Sequence, residues 1–328
     1  MKALVTGGSG FLGKAIVERL LARGHAVRSL ARGAYPELAA LGVECLTGDL
    51  GDLEAVLRAA EGCDTVYHVA AKAGVWGTYE SYFRPNVVGT QNVIAACGQQ
   101  GARKLVYTST PSVTFEGVDE DGVDESVPYA RHFLCHYART KALAEEHVLR
   151  ANGKGLSTVA LRPHLIWGPG DNHLIPRIID RSRAGKLKLV GNGANRVDST
   201  YIDNAADAHL QAAEALSPGA ACAGKAYFIS NGEPLAMGDL INRILAAGGQ
   251  PPVERFVPAK LAYWVGSAME VVYSLLGKEE EPLMTRFLAR QLATAHWFDL
   301  TAARRDFGYT PSVSIDEGMR RLEAWLRA

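Results

Sequence analysis

A charge imbalance, a cysteine framework, a long apolar run and an internal repeat are all missing from this chain. Thirty-five Lys and Arg balance thirty-five Asp and Glu, for a formal net charge of zero. That removes any bulk electrostatic pull toward nucleic acid or anionic membranes. The five cysteines (Cys45, Cys63, Cys97, Cys135, Cys222) are scattered, odd in number and never in C-x-x-C spacing. This pattern argues for reduced thiols in the cytoplasm rather than disulfides or zinc. No apolar run reaches the ~18–20 residues of a membrane span, and the first residues read as a strand, not a secretory leader. No metal ligand set is expected: His132 and His136 stand four apart without an evident third partner. What remains is a globular chain of 328 residues, 48% apolar, long enough for one large domain or two modest ones.

The first stretch with chemical content is Lys2–Gly13. Ala3–Val5 reads as a short buried strand. Gly7, Gly10 and Gly13 follow in G-x-x-G-x-x-G spacing, and Phe11, Leu12, Ala15, Ile16, Leu20 recur at helical period. Strand, glycine turn and helix in that order form a dinucleotide-binding unit. The glycines allow the turn, the approach of a pyrophosphate and close helix packing, while the helix N-terminus faces the phosphates. The second strand, Ala26–Leu30, runs out in Ala31-Arg32-Gly33. An acidic residue there would hold a ribose 2′-OH; an arginine suits a 2′-phosphate, so NADP(H) is the expected cofactor.

Further strands are expected at Val43–Thr47, Asp64–Ala71, Lys104–Thr108 and Ser157–Leu161, with helices between. That alternation predicts an α/β fold with a doubly wound parallel sheet. Beyond Arg162-Pro163 the texture changes. The expected division is a nucleotide-binding domain at 1–165 and 199–230, and a smaller, mostly helical substrate lobe at 166–198 and 231–328. Val265–Leu276 is expected as a helix lining an acyl pocket, with a membrane- or partner-facing role as the alternative.

Tyr137 and Lys141 stand at i and i+4, on one helix face. A phenol ionises near 10, too high for acid–base work at neutrality, and an adjacent ammonium lowers that value. Strand five leads into Thr108-Ser109-Thr110, hydroxyls at the sheet edge where ligands bind. The glycine turn, these hydroxyls and the Tyr/Lys pair fit one site that protonates a carbonyl beside a nicotinamide.

Thr6–Gly13, Gly48-Asp49-Leu50, His68–Ala71, Asn86-Val-Val-Gly-Thr, Tyr107–Thr110, Tyr137-x-x-x-Lys141, Arg162-Pro163 and Tyr201–Asn204 together resemble the extended short-chain dehydrogenase/reductases, in family order over residues 1 to about 205. The resemblance implies a Rossmann fold with Gly7, Gly10, Phe11, Leu12, Gly13, Arg32, Asp49, Leu50, Ala70, Ala71, Lys72 and Pro163 around the cofactor. It implies Tyr137 as proton donor, Lys141 on the nicotinamide ribose, and Thr110 or its neighbour Ser109 bonding the substrate oxygen. It also implies a homodimer. Two branches compete. Ser112–Asp119 and Leu283–Phe287 resemble the 3-hydroxysteroid and sterol-4-carboxylate dehydrogenases. Ala71–Gly77, Arg162–Asn172, Val197–Tyr201 and Ala220–Pro234 resemble bacterial reductases of 2-alkyl-3-oxoalkanoates in long-chain olefin formation. Either substrate carries a carboxylate, for which His164, Arg177 and Arg196 are the candidate cations. A redox-inert NADP-binding sensor is the third reading.

Overall fold

The computed structural model describes residues 1–153 and 155–328. The chain runs β1 (Lys2–Thr6), α1 (Phe11–Ala22), β2 (Ala26–Ala31), α2 (Pro36–Ala40), β3 (Glu44–Thr47), α3 (Leu53–Ala60), β4 (Thr65–His68), α4 (Tyr79–Phe83), α5 (Gly89–Gln100) and β5 (Lys104–Thr108). It continues through β6 (Glu120–Val123), α6 (His136–Arg150), β7 (Ser157–Pro163), β8 (Ile166–Trp167), α7 (Leu174–Arg183), β9 (Leu189–Val190), β10 (Arg196–Val197), β11 (Thr200–Tyr201), α8 (Ile202–Ala215) and β12 (Lys225–Ile229). The last part comprises β13 (Leu235–Ala236), α9 (Met237–Ala247), β14 (Phe256–Val257), α10 (Ala259–Leu275), α11 (Arg286–Ala293), β15 (His296–Phe298), α12 (Thr301–Phe307) and α13 (Ile315–Arg327).

Seven strands form one parallel sheet in the order β12-β7-β5-β4-β1-β2-β3. Helices cover both faces, so its central strands are apolar on both sides: Ala3, Leu4 and Val5 are wholly buried. One face packs α3, α5 and α6 through Val56, Val93 and Val148. The other packs α1 and α8 through Ile16, Leu20 and Leu210. The chain winds outward from β1 to β3, then returns to β4 on the other side of β1. The crevice above the β1/β4 ends is therefore the switch point where ligands bind.

The sequence expectation of a doubly wound sheet agrees with this order. A four-stranded sheet, β13-β10-β15-β6, was not anticipated. Its strands are two to four residues long, and β6 pairs with β15 in parallel from more than 170 residues away. Such pairing leaves no local periodicity to read. The expected boundary at 198/199 falls between β10 and β11, and that at 230/231 just after β12. The C-terminal segment is pinned at this second point. Asn204 gives its side-chain N–H to the Val313 carbonyl at 2.7 Å and accepts from the Ser312 and Val313 N–H groups, while the Tyr309 hydroxyl donates to the Ser230 carbonyl.

One expectation is corrected. The helix over Val265–Leu276, expected to line an acyl pocket, exposes Val265, Val271, Val272, Leu275 and Leu276. α10 fully buries only Ala262 and Gly266, while Leu261, Trp264, Val265, Val271, Val272 and Leu275 face outward. The small buried residues let it lie flat against α11; a Cβ on Gly266 would meet the Thr285 backbone at 2.7 Å. Among the described residues no helix is long and apolar enough to cross a membrane.

Candidate active site

The glycine turn is shaped by close backbone approaches. Gly7 takes φ +71°, and a Cβ there would fall 2.9 Å from Ala70 Cα. The loop after β4 thus needs a small residue at Ala70 as much as the turn needs glycine. A Cβ on Gly13 would lie 2.0 Å from the Gly7 carbonyl oxygen. α1 starts from an extended Gly10 with no side-chain cap and no acidic residue in its first turn. The Phe11, Leu12 and Gly13 N–H groups are therefore open to an anion, and the turn fits a diphosphate. At the far end of the crevice Arg32 and Asp49 are exposed. Asp49 Oδ1 accepts from the Gly51 N–H at 2.7 Å, which fixes its turn. Leu50 is half-buried beside it.

A buried polar chain ties the turn to its neighbours. The Thr90 hydroxyl donates to the Asn86 carbonyl at 2.6 Å, so it accepts from His68 Nε2–H at 2.9 Å. His68 Nδ1 then accepts from the Thr6 hydroxyl at 2.8 Å, whose oxygen accepts from the Ala70 N–H. Every member is satisfied in one tautomer. Burial, with the Lys141 charge, pushes His68 down to about 3, so this strut stays neutral.

Tyr137 lies in the first turn of α6 and Lys141 one turn on, both toward β5. Lys141 is 2% exposed; its Nζ donates to the Thr108 carbonyl at 2.5 Å and stands 4.1 Å over the Tyr107 ring. Burial pulls its ionisation down to about 7, against the Glu145 carboxylate, which raises it. Burial pushes the Tyr137 phenol up to about 12, with the Thr110 hydroxyl opposing. The phenol expected to be lowered is raised instead, because the ammonium is turned to the Thr108 carbonyl.

Of the two candidate hydroxyls, that of Thr110 reaches the phenol. It also caps the turn that follows, accepting from the Ser112 N–H at 3.2 Å. Ser109 is buried, its backbone N–H held by the Leu161 carbonyl at 2.6 Å and its hydroxyl without a protein partner. Pro163 is buried at the end of β7, opposite Ile229.

Sequence reasoning gave Asn86 no role beyond resemblance. It sits in a π-helical turn, Arg84–Val88. Its side chain brackets the Lys72 backbone, accepting from N–H at 2.8 Å and donating to C=O at 3.1 Å, and also donates to Thr140 Oγ1 at 3.1 Å. Thr140 in turn donates to the His136 or Tyr137 carbonyl. Asn86 thus fixes the cofactor-side loop relative to the first turn of α6. Lys72, expected at the cofactor, turns its ammonium to Ser81 Oγ at 2.8 Å and over the Tyr82 ring. Ala71 is exposed at the mouth of the same loop.

The expected carboxylate-binding cations fare differently. His164 is 4% exposed and its Nε2 lies 3.2 Å from His296 Nδ1. His296 Nε2–H can only donate to the Gln291 carbonyl, so its Nδ1 accepts and His164 donates. Burial drives both below their ordinary values, His164 the further. His164 is a neutral, buried residue, which corrects its reading as a cation. Arg177 is paired with Glu281, and Arg196 is exposed, 4.9 Å over the Trp297 ring. The wall beside Tyr137 is apolar instead: Phe115 and Phe287 meet edge to face at 5.9 Å, with Val75 and Leu134 in the same cluster. Leu165, just past His164, takes φ +41°, a strained backbone for a branched side chain.

Residues 4–257 match the 3-beta hydroxysteroid dehydrogenase/isomerase family. The chain is 58% identical to a 2-alkyl-3-oxoalkanoate reductase from Stenotrophomonas maltophilia, covering 99% of each. It is 37% identical to a sterol-4-alpha-carboxylate 3-dehydrogenase, decarboxylating, from Mus musculus, covering 98% of this chain and 89% of that one. Among solved structures, a dTDP-glucose 4,6-dehydratase double mutant from Streptomyces venezuelae with NAD bound superposes with a TM-score of 0.78 at 25% identity, covering 100% and 97%.

Proposed function

The chain belongs to the 3-beta hydroxysteroid dehydrogenase/isomerase family and is a dehydrogenase/reductase acting on a hydroxyl/ketone pair; from that premise we propose that it reduces a long-chain 2-alkyl-3-oxoalkanoic acid to the 2-alkyl-3-hydroxy acid with NADPH, in olefinic hydrocarbon biosynthesis. The observation that carries this reading is the 58% identity over 327 residues, 99% of this chain, against 37% for the sterol enzyme.

Bound against the glycine turn, a reduced nicotinamide supplies a hydride to the ketone carbon. Tyr137 gives its phenolic proton to the oxygen that becomes alkoxide. An ionisation near 12 keeps that proton on the phenol at neutral pH. Thr110 bonds the same oxygen. Lys141 would hold the nicotinamide ribose, and its positive charge would favour the phenolate of Tyr137. Phe115 and Phe287 pack the alkyl body and keep water from the reacting carbon. Gly7, Gly10 and Gly13 with the α1 N–H groups seat the diphosphate, Asp49 and Leu50 the adenine end, and Arg32 the 2′-phosphate.

The test is oxidation of NADPH by the native chain with a long 2-alkyl-3-oxo acid and with a 3-ketosteroid. Turnover of the keto acid is expected. Tyr137→Phe should lower kcat by about 10²–10⁴-fold while leaving NADPH affinity near native. Steroid turnover without keto-acid turnover overturns the substrate, and full activity in the variant overturns the role of Tyr137.

A further inference from the structure

A 2-alkyl-3-oxo acid carries its carboxylate close to the ketone carbon, so the cation that holds it must stand beside Tyr137 and not at the far end of the alkyl body. The three cations expected from the sequence do not serve. His164 is buried and neutral, Arg177 is paired with Glu281, and Arg196 lies exposed over the Trp297 ring. The loop between β4 and α4 supplies another. It starts at Ala70, against the glycine turn, and reaches Val75, which packs in the apolar cluster of Tyr137, Phe115 and Phe287. Lys72 stands between the two and is half-buried. Its ammonium lies 4.7 Å over the Tyr82 ring and donates to Ser81 Oγ at 2.8 Å. Both partners are neutral, and Lys72 enters no ion pair among the described residues. An ammonium has three N–H donors, so two are left for a ligand. Drawing it onto a ring face without a counter-ion costs solvation that an arriving anion offsets. Tyr82 also shows how near the phenol lies. α4 packs on α6, and burial, with the Cys135 thiol, the Glu281 carboxylate and the Tyr137 phenol, holds the Tyr82 hydroxyl up at about 12.

We infer that Lys72 binds the substrate carboxylate, an assignment that rests on the substrate proposed above. The carboxylate takes the N–H groups that Ser81 leaves free, the ketone oxygen lies at Tyr137 and Thr110, and the alkyl body runs along Val75, Phe115 and Phe287. The main chain controls where the ammonium stands. Asn86 accepts from the Lys72 N–H and donates to its carbonyl, and it also donates to Thr140 on α6. Lys72 is thereby registered to the helix that carries Tyr137 and Lys141. Gly77, at φ +135°, borders the ammonium with backbone alone; a Cβ there would lie 3.5 Å from Nζ. Glu281 approaches the same loop at Gly74, but Arg177 takes its carboxylate. Two polar anchors, one at the ketone oxygen and one at the carboxylate, turn a single face of the ketone carbon toward the nicotinamide. They also set selectivity, because a ketone without the acid leaves the ammonium uncompensated. The cofactor is the competing claimant, since the loop begins at the glycine turn. Its anionic groups are already provided for: the α1 N–H groups face the diphosphate and Arg32 the 2′-phosphate.

The long-chain 2-alkyl-3-hydroxy acid and its methyl ester, titrated onto the chain saturated with NADPH, test this. Alcohol and reduced cofactor cannot react, so affinity is read without turnover. The native chain should bind the acid about 10–100-fold more tightly than the ester, the range of one charge-assisted bond. Lys72→Gln, which can still bond Ser81, should bring the two ligands within about threefold of each other, and Lys72→Arg should restore most of the preference. In reduction of NADP+ by the acid, Lys72→Gln should raise KM by a similar factor with little change in kcat, the mark of a contact made equally in ground and transition states. NADPH affinity should stay near native in both variants. An acid preference that survives Lys72→Gln, or a loss of NADPH affinity as large as the loss of acid affinity, overturns the assignment of Lys72 and leaves the substrate in place. A native chain that binds neither acid nor ester overturns the substrate and this assignment together.

Discussion

Arg32 carries the expectation about cofactor choice, and it does so by standing free. It directly follows β2, exposed, and enters no ion pair among the described residues. A charge-assisted bond to a phosphate contributes about 1.5–3 kcal/mol. Arg32→Ala should therefore weaken NADPH about 10–100-fold in a fluorescence titration and leave NADH almost unchanged; equal losses for both would remove Arg32 from the 2′-phosphate. The shape of the glycine turn and the shared face of Tyr137 and Lys141 were legible in the sequence because both are local: the glycines answer to close backbone contacts, and Tyr137 and Lys141 to one helix face. His68, Asn86 and Thr90 were not legible as a unit. Their roles rest on hydrogen bonds between β1, β4 and the start of α5, which no spacing encodes. The Lys141 ammonium was misjudged for a related reason, because i,i+4 proximity says nothing of a carbonyl on another strand competing for it.

The small sheet of β10, β13, β15 and β6 shows the same limit among elements, and it holds an unusual carboxyl. Glu120 starts β6, opposite His296 in register, and is 5% exposed. Burial pushes it up to about 7, against the Thr114 hydroxyl at 2.7 Å and the Arg162 charge. An unfolded glutamate loses its proton near 4.3. Between those values the unfolded chain binds fewer protons than the folded one, so this group lowers stability as pH rises toward 7 and adds no further slope well above it. The advantage of the native chain over Glu120→Gln in urea unfolding should shrink by about 2–3 kcal/mol from pH 5 to pH 8; a difference constant with pH would contradict the buried, protonated state. α10 was misread at this scale too. A dozen apolar residues spell the same helix whether it faces a pocket or solvent, and only the small residues Ala262 and Gly266 on its inner side, tight against α11, settle which.

Across the whole molecule the doubly wound sheet was readable because each of its first five strands is followed by a helix or a glycine turn, and its centre is apolar on both faces. Its last strand, β12, is not placed by any such alternation. β12 takes its place beside β7 after an excursion of some sixty residues, from Pro163 to Lys225, through β8–β11, α7 and α8. That detour sets a timetable for synthesis. At roughly 5–20 residues per second, the ribosome leaves β7 without its outer neighbour for several seconds, and the bonds from Asn204 and Ser230 to the C-terminal segment wait for another hundred residues. During that interval the nascent chain shows an open, apolar strand edge, the kind of surface that chaperones hold and that other nascent chains pair with. Ribosome-stalled chains ending near residue 250 should therefore remain protease-sensitive between β7 and β12, and only chains with all of α13 outside the exit tunnel should resist; the segment between β7 and β12 decides when the parallel sheet is finished.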